Sequence, residues 1–181
     1  TWPYASASLA LSYPDEEAKL TSAARAHLPP AKVAKNGSAM TANAAGGSPA
    51  FQNVFVSPEA YAAFQKTGLY PDKTVFVLEV RASVSRQSSF LAPGGLYQGD
   101  VVAIRTEMRD DARYPQSKWA WFDFKQGNGG WQPVLPQPEP AQNCLQCHAK
   151  HGAVQDSFTQ FYPTLFAIAK AKGTVKPGYA R

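Results

Sequence analysis

The apolar positions of this chain fall into blocks of different period. Residues 1–14 are aromatic and small, with Pro3 and Pro14 as breakers, and predict no element. From Asp15 to Leu28 the acids come first, Leu20, Ala24, His27 and Leu28 share one face, and Pro29-Pro30 ends the run, which predicts a helix. Residues 31–50 are small and polar with Gly46-Gly47 and Pro49, a loop. Phe51–Val56 reads as a short strand. Ser57 then caps a helix with Pro58 at its first position, Glu59 in its first turn, Tyr61 and Phe64 on its apolar side and Gly68 at its end. Pro71-Asp72-Lys73 is a turn. Thr74–Val84, Tyr97–Arg109 and Trp119–Phe124 are strands, rich in β-branched or aromatic residues, with a loop over 85–96. "KQGNGG" is a turn, and Pro133, Pro136, Pro138 and Pro140 make the next stretch an extended linker. A last helix is predicted from Val154 to Lys172, kinked or restarted at Pro163. No repeat is present. Helices, an antiparallel meander and a C-terminal helix make one α+β domain over residues 1–181.

Composition narrows the picture. The 181 residues are 44% hydrophobic and 17% charged, enough for one globular domain with a core. No run approaches the roughly 18 apolar residues of a membrane span. The net charge of +5 would suit nucleic acid only if it clustered. Lys32 and Lys35 are neighbours, and Lys170, Lys172 and Lys176 lie on a tail. This is a mildly basic soluble surface, and no nucleic-acid partner is expected. The chain starts at Thr1 without a Met or an apolar leader, which reads as a processed or trimmed form.

The chemistry is concentrated at one place. Of two cysteines and three histidines in the chain, both cysteines and two histidines lie between Cys144 and His151. Cys144-Leu145-Gln146-Cys147-His148 is a C-x-x-C-H motif. Two thiols three residues apart on a helical turn can form thioethers with one haem, and the next residue turns an imidazole toward the iron. Other readings stay open. A redox pair would normally sit in a βαβ pattern, which is absent. Zinc could use Cys144, Cys147, His148 and His151, although structural sites usually draw ligand pairs from separated segments. The motif can also arise by chance. For the haem reading His148 is the axial ligand, and no sixth ligand stands out. His151 follows by one turn on the same segment, His27 reads as structural, and Met40 and Met108 read as packing. An open, five-coordinate iron follows.

With these residues in view, "FQNVFVSPEAYAAFQKTG", "YPDKTVFVLEV", "GLYQGDVVAI", "WAWFDF" and "CLQCHAKHGAVQDSFTQFYPTL" resemble, in order, the cytochrome P-460 and cytochrome c′-beta family. The resemblance covers residues 50–170 and leaves 1–50 as an N-terminal extension with one helix. It implies a mostly β fold, an antiparallel sheet with flanking helices, and one covalently bound haem c near the C-terminal helix. It also implies a periplasmic location and a homodimer. One branch oxidises hydroxylamine, with a strand lysine bonded to the haem edge and a distal carboxylate. The other lacks the lysine bond and binds nitric oxide in an apolar pocket.

Aligning "TVFVLEV" places Leu78 at the lysine position, and leucine cannot form the bond. Lys73 lies before the strand and reads as a turn residue. Aligning "GDVVAIRTEMRDD" places Arg105 at the carboxylate position, with Glu107 two residues on and on the same face. Both are candidate distal-pocket residues, and a paired, exposed strand face is the plain alternative. Arg105 would stabilise an anionic ligand or a breaking peroxide bond but cannot serve as a base. Phe51 matches a family aromatic and is a candidate to sit over the iron, and Phe90 is a second. The expected function is a five-coordinate haem protein that binds nitric oxide or another small nitrogen-oxide ligand. Hydroxylamine oxidation, a peroxidase-like activity using Arg105, and electron transfer with a redox partner protein are the alternatives.

Overall fold

Among the described residues, six strands hydrogen-bond in the order in which they occur along the chain, every neighbouring pair antiparallel. They are β1 (Tyr4–Leu9), β2 (Phe51–Val56), β3 (Val75–Ser85), β4 (Leu96–Arg109), β5 (Trp119–Gly127) and β6 (Gly130–Pro133). The described residues also form three helices, α1 (Pro58–Thr67), α2 (Ala141–His151) and α3 (Pro163–Lys172), with a 3-10 turn at Thr159–Phe161. This computed structural model describes residues 1–9, 50–85, 96–135, 137–138 and 141–179. The helix predicted over Asp15–Leu28, most of the loops 31–50 and 85–96, and with them His27, Met40 and Phe90, lie outside the described residues.

The mostly β meander with flanking helices agrees with the sequence reading. Strands β3, β4 and β5 fall where the β-branched and aromatic runs place them. The left-handed Gly68 (φ 72°) ends α1 and donates its N–H to Phe64 O. Ser57 precedes Pro58 as expected, but its hydroxyl accepts from Val75 N at 3.3 Å, so it ties α1 to β3 instead of capping the helix. Lys73 is a turn residue with φ 64°, and its N–H donates to Arg109 O.

Three elements differ from expectation. β1 forms from "YASASL", a segment without β-branched residues; pairing with β2 along Ser6↔Val54 to Leu9↔Phe51 overrides weak local preference. β6 occupies the start of the expected linker. It is an edge strand with Pro133 as its last residue, a place where proline removes no ladder bond. The C-terminal helix begins at Pro163 and not at Val154, because Gln155 (φ 46°) and Asp156 (φ 64°) are left-handed and cannot continue a helix.

Strand alternation gives the sheet two faces. Val54, Val56, Phe76, Trp119 and Trp121 point to the core, where they meet Ala60 and Phe64 of α1 and Leu165 and Ala169 of α3. Tyr70 anchors the centre, with ring centroids 4.3 Å from Phe64 and 5.0 Å from Phe76. The other face carries a polar network. Asn53 Nδ2 donates to Glu79 Oε1 (3.0 Å) and Gln98 Oε1 (2.7 Å), while Arg81 bridges Glu79 and the Gly99 carbonyl. No helix among the described residues is long and apolar enough to cross a membrane.

Candidate functional site

The C-x-x-C-H motif lies on α2 itself. "AQNCLQCHAKH" holds neither glycine nor a β-branched residue, so it folds as helix once the proline run ends. Cys144 and Cys147 are one turn apart, and no disulfide joins them. Cys144 packs against the core cluster that also takes Leu78 and Leu145. His148 follows, its side chain 15% exposed, between Trp121 (ring centroids 5.0 Å) and Phe158 (4.4 Å).

The segment after α2 folds back beneath it. Gly152 makes this possible: a Cβ there would lie 2.4 Å from the Asp156 carbonyl carbon and 2.6 Å from His148 O. The returning loop is pinned on both sides. Gln155 Oε1 accepts from Tyr70 N at 2.6 Å, and the Gln155 carbonyl accepts from Trp119 Nε1 at 2.7 Å. Lys176 Nζ holds Asp156 Oδ1 at 2.7 Å and Ala149 O at 2.8 Å, joining loop to helix. The outcome is an Asp156 carbonyl 3.0 Å from His148 Nδ1. With Nδ1 occupied in this way, Nε2 is the nitrogen left to bind a metal.

Glu107 completes this side. Its Oε1 is 3.3 Å from His148 Nδ1, with side chains only 11% and 15% exposed. The contact is one of charge, since Oε1 has no hydrogen-bond partner. Burial lowers the His148 pKa, but the Glu107 charge beside it, together with the Asp156 carbonyl, outweighs burial and holds it above its ordinary value. Behind Glu107 lie Tyr70 and Tyr162. Both phenols are pushed up, first by burial, with the Glu107 charge adding to it.

The other sequence candidates divide between two faces. Leu78 lies across β4 from Arg105, and Arg105 lies across β5 from Asp123. Leu78, Arg105 and Glu107 therefore share the core face. Arg105 is not paired with Glu107: its Nε meets Asp123 Oδ1 at 3.2 Å, with both side chains about two-fifths exposed (41% and 38%). Glu107, expected on the distal side, stands at the Nδ1 side of His148. Phe51, expected over the iron, has the parity of Asn53 and Phe55 and so lies on the face opposite Leu78. Met108 likewise points away from His148, being one residue out of phase with Glu107. His151 ends α2 one turn after His148.

Sequence reasoning missed Asp156, Lys176, Trp121 and Phe158. Gly152 was the only local signal of the fold-back; the rest depends on which strand α2 lies against.

These residues suit a haem better than zinc. Among the described residues no group of three or more His, Cys, Asp or Glu is gathered as a metal ion would require. Two buried polar atoms beside His148, Trp121 Nε1 and Glu107 Oε1, have no hydrogen-bond partner, as in a pocket shaped around a further group. An imidazole fixed through Nδ1, directly after the second of two thiols one helical turn apart, is what a haem-binding cytochrome needs. The family comparison agrees: residues 31–159, well over half of the sequence, match cytochrome P-460, and the chain belongs to that family. No curated protein matches the chain.

Proposed function

We propose that the chain is a monohaem c-type cytochrome of the c′-beta kind, which takes nitric oxide or a similar small ligand at an open axial position. Cys144 and Cys147 would hold the haem through thioethers, and His148 Nε2 would hold the iron. A haem bound in this way supplies one iron with a single coordination position left for a small ligand. The protein's part is to fix His148 through the Asp156 carbonyl and to keep water from the centre with Leu78, Trp121 and Phe158.

The observation that carries this reading is Leu78. It is an apolar side chain packed on the core at the position where the resemblance puts the lysine of the hydroxylamine-oxidising branch. A further point supports it. Arg105 already has Asp123 as its partner, which argues against a guanidinium reserved for peroxide. The resemblance brings a periplasmic location and a homodimer into the same proposal.

The test is titration of the reduced holoprotein with nitric oxide, followed by absorption. A saturable change with isosbestic points is expected, together with no steady-state turnover of hydroxylamine in the presence of an electron acceptor. An unchanged spectrum would overturn the nitric oxide reading, and hydroxylamine turnover would replace it with the enzymatic one.

A further inference from the structure

We propose that Glu107 is a positioning residue on the His148 side of the haem, acting on the iron through His148 Nδ1 and not at the ligand-binding face. The proposal rests on the reading of His148 as axial ligand.

Four observations carry it. First, the distance: Glu107 Oε1 lies 3.3 Å from Nδ1, while the Asp156 carbonyl lies 3.0 Å from the same nitrogen. The Nδ1 proton is therefore held by the neutral carbonyl, with the anionic carboxylate beside it. Second, the surroundings. The Glu107 side chain is 11% exposed, so neither water nor salt screens its charge much. Third, the neighbouring charges cancel elsewhere. Asp156 is neutralised by Lys176 at 2.7 Å, and Arg105, the cation two residues before Glu107, is held by Asp123. Among the described residues Glu107 has no ion-pair partner but His148. Fourth, its own atoms. Oε1 is buried and lacks a hydrogen-bond partner, so nothing competes with Nδ1 for it.

The chemical consequence follows from the ligand. A negative charge beside Nδ1 favours positive charge on the ring and so makes Nε2 a stronger donor to iron. A more basic axial imidazole binds ferric iron more strongly than ferrous, and the reduction potential falls. Asp156 sets the ring's orientation and Glu107 sets its electron density.

The experiment compares wild type with Glu107→Gln and Glu107→Asp, each as the haem-loaded protein. Two quantities are read: the iron–histidine stretching band of the ferrous form by resonance Raman, and the midpoint potential by spectroelectrochemistry. Glu107→Gln is expected to move the band to lower frequency and the potential to more positive values. Glu107→Asp keeps the charge but withdraws it by one methylene, so it should shift both in the same direction by less. If Glu107→Gln yields no haem-loaded protein, the Asp variant alone decides, by the same sign. Band and potential unchanged in variants with normal haem content overturn the proposal. A wild type with no iron–histidine band at all overturns the axial assignment of His148 instead.

Discussion

Single residues do most at the fold-back beneath α2. Gly152 is tolerated there only because it lacks a side chain, since the atoms a Cβ would meet belong to the backbone and cannot swing aside. Gly152→Ala should cost about 1–3 kcal/mol, the usual range for overpacking a closely fitted site. Denaturant unfolding measures this directly, and an unchanged midpoint would mean the loop has room that its geometry denies. The thiols and imidazole were legible in the sequence because their spacing along one helix is a local property. Glu107 was legible as an inward-facing carboxylate of β4, from its parity with Arg105. That it meets His148 was not, since the contact depends on how α2 is seated on β5, where Trp121 is the partner of Glu107. Phe51 illustrates the converse: the resemblance suggested a pocket aromatic, and strand parity puts it on the other face.

At the scale of elements, the polar network on the outer face does what apolar contacts do on the inner one. Asn53, only 6% exposed, joins β2 to Glu79 of β3 and Gln98 of β4, and Tyr4 of β1 donates to its carbonyl oxygen. Glu79 is drawn below its ordinary value of 4.5, first by its hydrogen bonds from Arg81, against the opposing effect of burial, and further by Asn53. A carboxylate lowered in the folded state stabilises fully above the unfolded value, and that stabilisation is lost as pH falls through the folded one. Glu79→Gln should therefore be less stable than wild type at pH 7. The gap should narrow as pH drops below the ordinary carboxylate value and close under more acid conditions. Urea unfolding of both proteins across that range checks it, and a gap independent of pH would show that Glu79 acts by shape alone. The strands legible in the sequence were those with β-branched or aromatic runs, β2 to β5. β1 and β6 were hidden because their conformation comes from a neighbour: "YASASL" needs β2, and "GWQP" needs β5. The late start of α3 was hidden for a related reason, since Gln155 and Asp156 take left-handed conformations held by Tyr70, Trp119 and Lys176 from distant parts of the chain.

The described strands form an antiparallel meander with one face given to the core and the site. They follow chain order, so each strand pairs with the strand before it. Helices α1 and α3 cover part of the inner face, and α2 brings the cysteines and His148 to the strands that carry Leu78, Arg105 and Glu107. The fold thus sets a thiol pair and an imidazole against an apolar, carboxylate-bearing sheet face. On the proposed function, His148 is the sole strong axial ligand of a haem attached at Cys144 and Cys147. The absorption spectrum of the matured protein, oxidised and then reduced, tests it most directly. A broad high-spin spectrum with an ordinary Soret band is predicted. Sharp low-spin bands would contradict the open axial position, a strongly red-shifted reduced band would contradict the uncross-linked edge at Leu78, and the lack of any Soret band would contradict the haem itself.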